Sequence, residues 1–100
     1  MYERLLILKL RDEHADASGR ASAASAIRAA LDDDPDVREL RVGLPADADA
    51  IRSWDVYARI ATDDEAAYQR VIARPGYARL VADVIEPRAI VVKGWGFAID

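Results

Sequence analysis

The chain contains no cysteine, which removes disulfides, thiolate nucleophiles and thiolate metal ligands from consideration. It has a single histidine, His14, and one imidazole argues against a histidine-built metal site. No cluster of lysine and arginine occupies one helix face or a tail, and the formal net charge is −4. The electrostatic footprint of a nucleic-acid binder is therefore missing, and nucleic acid is not an expected partner. Long apolar runs are absent as well. The first, Leu5 to Leu10, is broken by Lys9 and followed by Arg11; together with the preceding Tyr2-Glu3-Arg4 it is neither a signal peptide nor long enough to span a membrane. We expect a cytoplasmic protein.

What is present suits one globular domain over residues 1–100. Hydrophobic residues make up 52% of the chain and charged residues 32%, with both signs interspersed, a balance that supports a buried core without staples. Leu5 to Leu10 reads as a strand apolar on both sides, with Leu6, Leu8 and Leu10 on one side and Leu5 and Ile7 on the other. From about Ser18 to Leu31, Ala24, Ile27 and Leu31 step by three and four on an alanine-rich background, the mark of a helix. Asp32-Asp33-Asp34-Pro35 ends it. That acidic run lacks the alternating ligands and glycine turn of a calcium loop and reads as a solvated turn.

Val37 to Leu44 alternates as a strand, and Pro45 to Ala50 reads as a loop. In Ser53 to Ala61 the alternation places Trp54, Val56, Ala58 and Ile60 on one face and Asp55, Tyr57 and Arg59 on the other. Thr62-Asp63-Asp64-Glu65 fits a capping box for a helix to about Ala73. Arg74-Pro75-Gly76-Tyr77 breaks the helical pattern. Leu80, Val81, Val84 and Ile85 continue it to Pro87, and a final apolar strand runs from Ala89 to about Phe97. The order β-α-β-β-α-β predicts an α+β, ferredoxin-like fold with an antiparallel sheet.

Three segments carry a family resemblance: Leu5-Leu6-Ile7-Leu8-Lys9-Leu10, then Asp36-Val37-Arg38-Glu39-Leu40-Arg41-Val42-Gly43, then Ile72-Ala73-Arg74-Pro75-Gly76-Tyr77. In this order they resemble the stress-responsive dimeric α/β barrel (Dabb) family. The resemblance implies a homodimer in which two ferredoxin-like sheets pack into a barrel, with a cavity in each subunit between sheet and helices. The residues support a covered second sheet face independently. The first strand is apolar on both sides, and the last sets Ile90 and Val92 opposite Val91 and Trp95. A twofold partner is the simplest cover for such a self-complementary patch, and we expect Leu8 to face it.

Plant polyketide cyclases of that family use cavity histidines as acid–base groups. Carried over position by position, these fall at Arg4, Asp55, Arg74 and Tyr77, and a tyrosine partner falls at Val71, so the histidine mechanism is not available here. An alternative polar set remains. Asp55 and Tyr77 are the candidate catalytic base and hydrogen-bond donor; Arg4, Tyr57, Arg59 and Arg74 are candidate cavity or ligand-binding residues. The competing reading makes Asp55 and Arg59 a structural ion pair and Tyr77 a helix anchor. Haem enzymes share the barrel architecture, but their iron ligand is normally a histidine, and His14 is the sole candidate. Gly94-Trp95-Gly96 lacks the strand-to-helix setting of a phosphate loop. No cofactor or metal is expected. Two functions stay open: a homodimer that binds a small hydrophobic or aromatic metabolite, with or without a stress-related role, and a small-molecule enzyme of polyketide cyclase, isomerase or cofactor-free monooxygenase type.

Overall fold

The computed structural model describes residues 1–100. Its centre is β1 (Tyr2–Leu10), which pairs antiparallel with β3 (Val56–Thr62) on one side and β4 (Ala89–Ala98) on the other. A shorter edge strand, β2 (Glu39–Gly43), pairs antiparallel with β3. The sheet order β2-β3-β1-β4 is the ferredoxin-like arrangement, and within one chain the sheet is open. Helix α1 (Ala17–Leu31) follows β1; α2 (Ala48–Ser53) lies between β2 and β3; α3 (Glu65–Ile72) and α4 (Pro75–Leu80) follow β3. Val81–Ile85 then winds as a π-helical turn into α5 (Glu86–Arg88).

Local sequence explains each helix start. Asp16, Asp47 and Asp64 each accept a hydrogen bond from the backbone N–H three residues on, at 2.6, 2.8 and 2.8 Å, satisfying one of the free donors at a helix N-terminus. The cap of α3 is thus Asp64, not Thr62; the Thr62 hydroxyl donates to the Asp64 carbonyl at 2.7 Å instead. Asp47 also starts α2, inside the segment expected to be a loop. Gly19 lets the single turn Asp12–His14 fold back on α1, since a Cβ there would collide with the His14 carbonyl. At the break before α4, Arg74 is extended and Pro75 takes the first helical position, where its missing N–H costs nothing. The helix then passes Pro87. In the π-helical turn the Glu86 N–H bonds five residues back to the Val81 carbonyl, and the wider ring accommodates the imide.

The core lies between the sheet and the helices. Leu6, Leu8, Leu10, Val56, Ala58 and Ile60 meet Ala23, Ile27 and Leu31 of α1 and Tyr68, Val71, Leu80 and Val84 of the second helical stretch. Leu8 is 1% exposed within this cluster, so it faces the helices and not a partner. The pleat decides this: Leu8 shares a side with Leu6 and Leu10, and that is the side on which α1 packs. Across the sheet, Leu5 and Ile7 stand opposite Trp95 and Lys93 on the face away from α1, α3 and α4, called here the helix-free face because only the short α2 reaches over its edge. Leu8→Asp should therefore unfold the chain and not merely dissociate it. Urea denaturation should show a loss of about 3 kcal/mol or more, and unchanged stability would contradict this side assignment.

Candidate functional site

Asp55 is 1% exposed and lies just before β3. Its amide donates to the Leu8 carbonyl at 2.9 Å, so the backbone is still following β1. Its carboxylate then takes over from the ladder. Oδ2 accepts the Leu10 N–H at 2.8 Å and Oδ1 accepts Arg20 Nε–H at 3.0 Å, while Lys9 Nζ stands 4.0 Å from Oδ2. Arg20 is itself fixed by donating from Nη2 to the Ala15 carbonyl at 3.1 Å. The partner of Asp55 is thus Arg20, not Arg59. The alternating pattern put Asp55 and Arg59 on one face, but β3 begins only at Val56, and Asp55 turns toward α1. With both oxygens engaged, this carboxylate joins β1, β3 and α1.

Arg59 and Tyr57 are on the helix-free face. Arg59 Nε is 2.7 Å from Glu3 Oε2, and its Nη2 is 3.7 Å from Glu39 Oε1; Glu39 also pairs with Arg41. Tyr57 borders a recess of about 360 Å³, which lies under the β2–β3 connection and is lined by Ile7, Leu44, Pro45, Ala50, Trp54 and Tyr57 among others. This recess is not between the sheet and the helices, where the family resemblance placed a cavity. The connecting segment through α2 creates it by arching over the open sheet face. Arg74 is elsewhere again. It binds Asp34 and Asp36, and Arg70 makes a two-pronged pair with Asp36 at 2.9 and 3.1 Å, so the acidic turn after α1 is strapped to α3 and α4.

Arg4 and Tyr77 are brought together, through a residue the sequence reading did not select. Tyr68 of α3 is 5% exposed. Its ring lies 5.3 Å from that of Tyr2, tilted by 34°, and 5.8 Å from the Arg4 guanidinium carbon. Burial pushes the Tyr68 hydroxyl well above the ordinary phenol range, hydrogen bonding with Tyr77 acts in the same direction, and the charge of Arg4 opposes them. Tyr68 is therefore a donor that stays neutral. Arg4 points to the helix side, and its Nε is buried with no hydrogen-bond partner. It spreads over β4 at Gly94, where a Cβ would come within 3.0 Å of Nη2, while Tyr2 covers Gly96 in the same way. Asp55, bonded at the Leu10 end of β1, is at the opposite end of that strand from this cluster. The candidate base and the candidate donor do not meet.

No family model matches the chain, and no curated protein matches its sequence. Solved structures do match. A Dabb family protein with a ferredoxin-like fold from Mesorhizobium loti superposes with a TM-score of 0.81 at 15% identity, over 98% of this chain and 95% of that one. This chain has the same ferredoxin-like fold. A dimeric protein of unknown function with a ferredoxin-like fold from Bacteroides fragilis gives 0.78 at 12% identity, covering 98% and 95%. A hydroxynitrile lyase from Passiflora edulis gives 0.78 at 9% identity, covering 99% and 93%. The architecture is thus shared by a lyase and by proteins of no stated reaction, and the fold alone does not select a chemistry.

Two outcomes test the placement of the charged residues. Asp55→Asn should cost about 3 kcal/mol, as expected when one partner of a buried pair is removed. In double-mutant cycles it should couple strongly to Arg20→Gln and be nearly additive with Arg59→Gln; coupling to Arg59 instead would reverse the assignment. The second test uses pH. Hydrogen bonds from Arg70 and then Arg74 hold the Asp36 carboxyl well below its ordinary value of 3.8. A depressed carboxylate contributes stability that is present above 3.8 and lost as pH falls toward the folded value. Urea midpoints measured from pH 5 downward should accordingly fall less steeply for Asp36→Asn than for the parent chain.

Proposed function

We propose that this chain is a member of the Dabb family that works in the cytoplasm as a homodimer and binds a small hydrophobic or aromatic metabolite. The observation that carries the binding reading is the group Tyr2, Arg4, Tyr68 and Tyr77 on the helix side of the sheet, beside the glycines of β4. Aromatic rings beside one cation are the kinds of contact that a small aromatic molecule uses. The enzyme reading, of cyclase, isomerase or monooxygenase type, has one supporting observation: a tyrosine held neutral by burial can donate a hydrogen bond to an enolate oxygen. The group holds donors and a cation but no carboxylate or imidazole to remove a proton, and this favours binding over proton abstraction.

The dimer reading rests on the helix-free face. Trp95 is 46% exposed, Phe97 48% and Val91 37%; Trp95 pairs with Leu5 while Phe97, Lys93 and Val91 pair with Glu3, Ile7 and Lys9, so apolar and charged side chains alternate there, with the apolar recess at the other side of the same face. Exposed aromatic surface of this kind is suited to being covered, and packing against a second copy would close two open sheets into the barrel that the family resemblance implies. No helix of the chain is long and apolar enough to cross a membrane, and the cysteine-free composition is consistent with a reducing compartment.

Sedimentation at micromolar concentration should give about twice the 11.0 kDa chain mass, and Trp95→Glu should shift the protein to a folded monomer. A monomeric parent chain would remove the barrel. For the ligand, a thermal-shift screen of aromatic and polyketide-like metabolites is the direct measurement. A binder present at a hundredfold its dissociation constant should add about 2.7 kcal/mol of stability, and no shift across the set would count against the site.

A further inference from the structure

The strand pairings set the side chains of the helix-free face in transverse rows. Arg41 of β2, Arg59 of β3, Leu5 of β1 and Trp95 of β4 form one row, and Gly43, Tyr57, Ile7 and Lys93 form the next. Residues directly opposite one another across strands share a face. The recess opens at the β2–β3 end of the second row, and the aromatics stand at the β4 end. The two edges of the sheet also differ. β2 is five residues long and carries Glu39 and Arg41, whereas β4 has ten residues, one lysine and no proline. Met1 and Ile99 exchange both backbone hydrogen bonds, so alternate residues back to Val92 turn their N–H and C=O groups to the open side. Such an edge is unguarded.

From this we infer how two copies meet: the twofold axis runs parallel to the strands, between β1 and β3, and β4 of each copy lies over β2 of the other. The inference rests on the homodimer reading and adds its geometry. An axis in that direction reverses the strand order in the second sheet and keeps the rows level. The partner's Trp95 then rests on Arg41, whose guanidinium is largely exposed at the sheet edge, as an indole on a cation. The partner's Lys93 comes over Gly43, beside Asp47 on the rim of the recess. With β1 over the partner's β3, Glu3 approaches the partner's Arg59 and repeats across the axis the pair made within each chain. The partner's β4 runs antiparallel to β2, the direction that continues the antiparallel order of each sheet. An axis across the strands sets β4 on β4 and β2 on β2 instead, opposing aromatics to aromatics and recess to recess.

The chain has no cysteine, so introduced thiols report the geometry without background. Two single variants, Arg41→Cys and Lys93→Cys, checked for folding by circular dichroism, are mixed in equal amounts and treated with a short bismaleimide. Any covalent link in this mixture joins two copies. Mass spectrometry of the digest should find position 41 joined to position 93, and either variant alone should give little product. A dominant link from 93 to 93 or from 41 to 41 overturns the inference while the dimer reading stands, as does an absence of links in a sample that sediments as a dimer. Arg41→Ala, which needs no thiol, should raise the dimer dissociation constant about tenfold, because the stacked pair occurs twice; an unchanged constant also overturns the inference. If the parent chain sediments as a monomer, the reading and the inference fall together.

Discussion

One buried carboxylate carries an unusual share of this fold. Asp55 accepts from the last amide of β1 and from Arg20 of α1, and its own amide bonds back to β1. Strand, strand and helix are pinned at a single point. The pin sets where the β3 ladder can begin, and so how much chain, Leu44 to Trp54, must arch over the helix-free face before the sheet resumes. That arch makes the recess. Without a charged partner on α1 the carboxylate would be an uncompensated charge in the core, so Arg20 and Asp55 are a unit, and the geometry of the sheet end depends on both.

The sheet and the two long helical stretches were readable because their signals are periodic. Leu6, Leu8 and Leu10 alternate, Ile27 and Leu31 step at helical spacing, and Pro75 punctuates the second stretch. Periodicity says that two faces differ, but not which one the helices take, which is why Leu8 could be assigned to the wrong side. Helix α2 escaped notice because none of its residues is buried; its signal was the cap Asp47, not an apolar stripe. At the start of β3 the alternation runs on through Asp55, where a side chain rather than a backbone carbonyl answers the neighbouring strand.

The candidate site was half visible. Arg4 and Tyr77 entered through a family resemblance, and the structure gathers them around Tyr68. That residue was passed over because it lies on a capped helix between Ala67 and the polar Gln69 and Arg70, where an aromatic reads as one core residue among several. Its spacing to Val71, three residues on and also buried, was the available clue. Arg59 and Arg74 are held elsewhere by carboxylates remote in sequence, Glu3 and Glu39 for the one and Asp34 and Asp36 for the other, and such pairings leave no local trace; Tyr57 follows the pleat of β3 to the side away from α1.

The chain of charges Glu3–Arg59–Glu39–Arg41 runs across the helix-free face beside its aromatic side. In a twofold assembly over that face it is present twice, as two rows of alternating sign related by the symmetry axis. Apolar surfaces alone would slide over one another with little penalty. Two alternating rows would not, because a displacement by one strand spacing, about 4.8 Å, sets like charge against like. In such an assembly the apolar half of the face would supply cohesion, and the charged half would fix the angle and offset at which two copies can meet. The axis would then be set by features that each single sheet already carries.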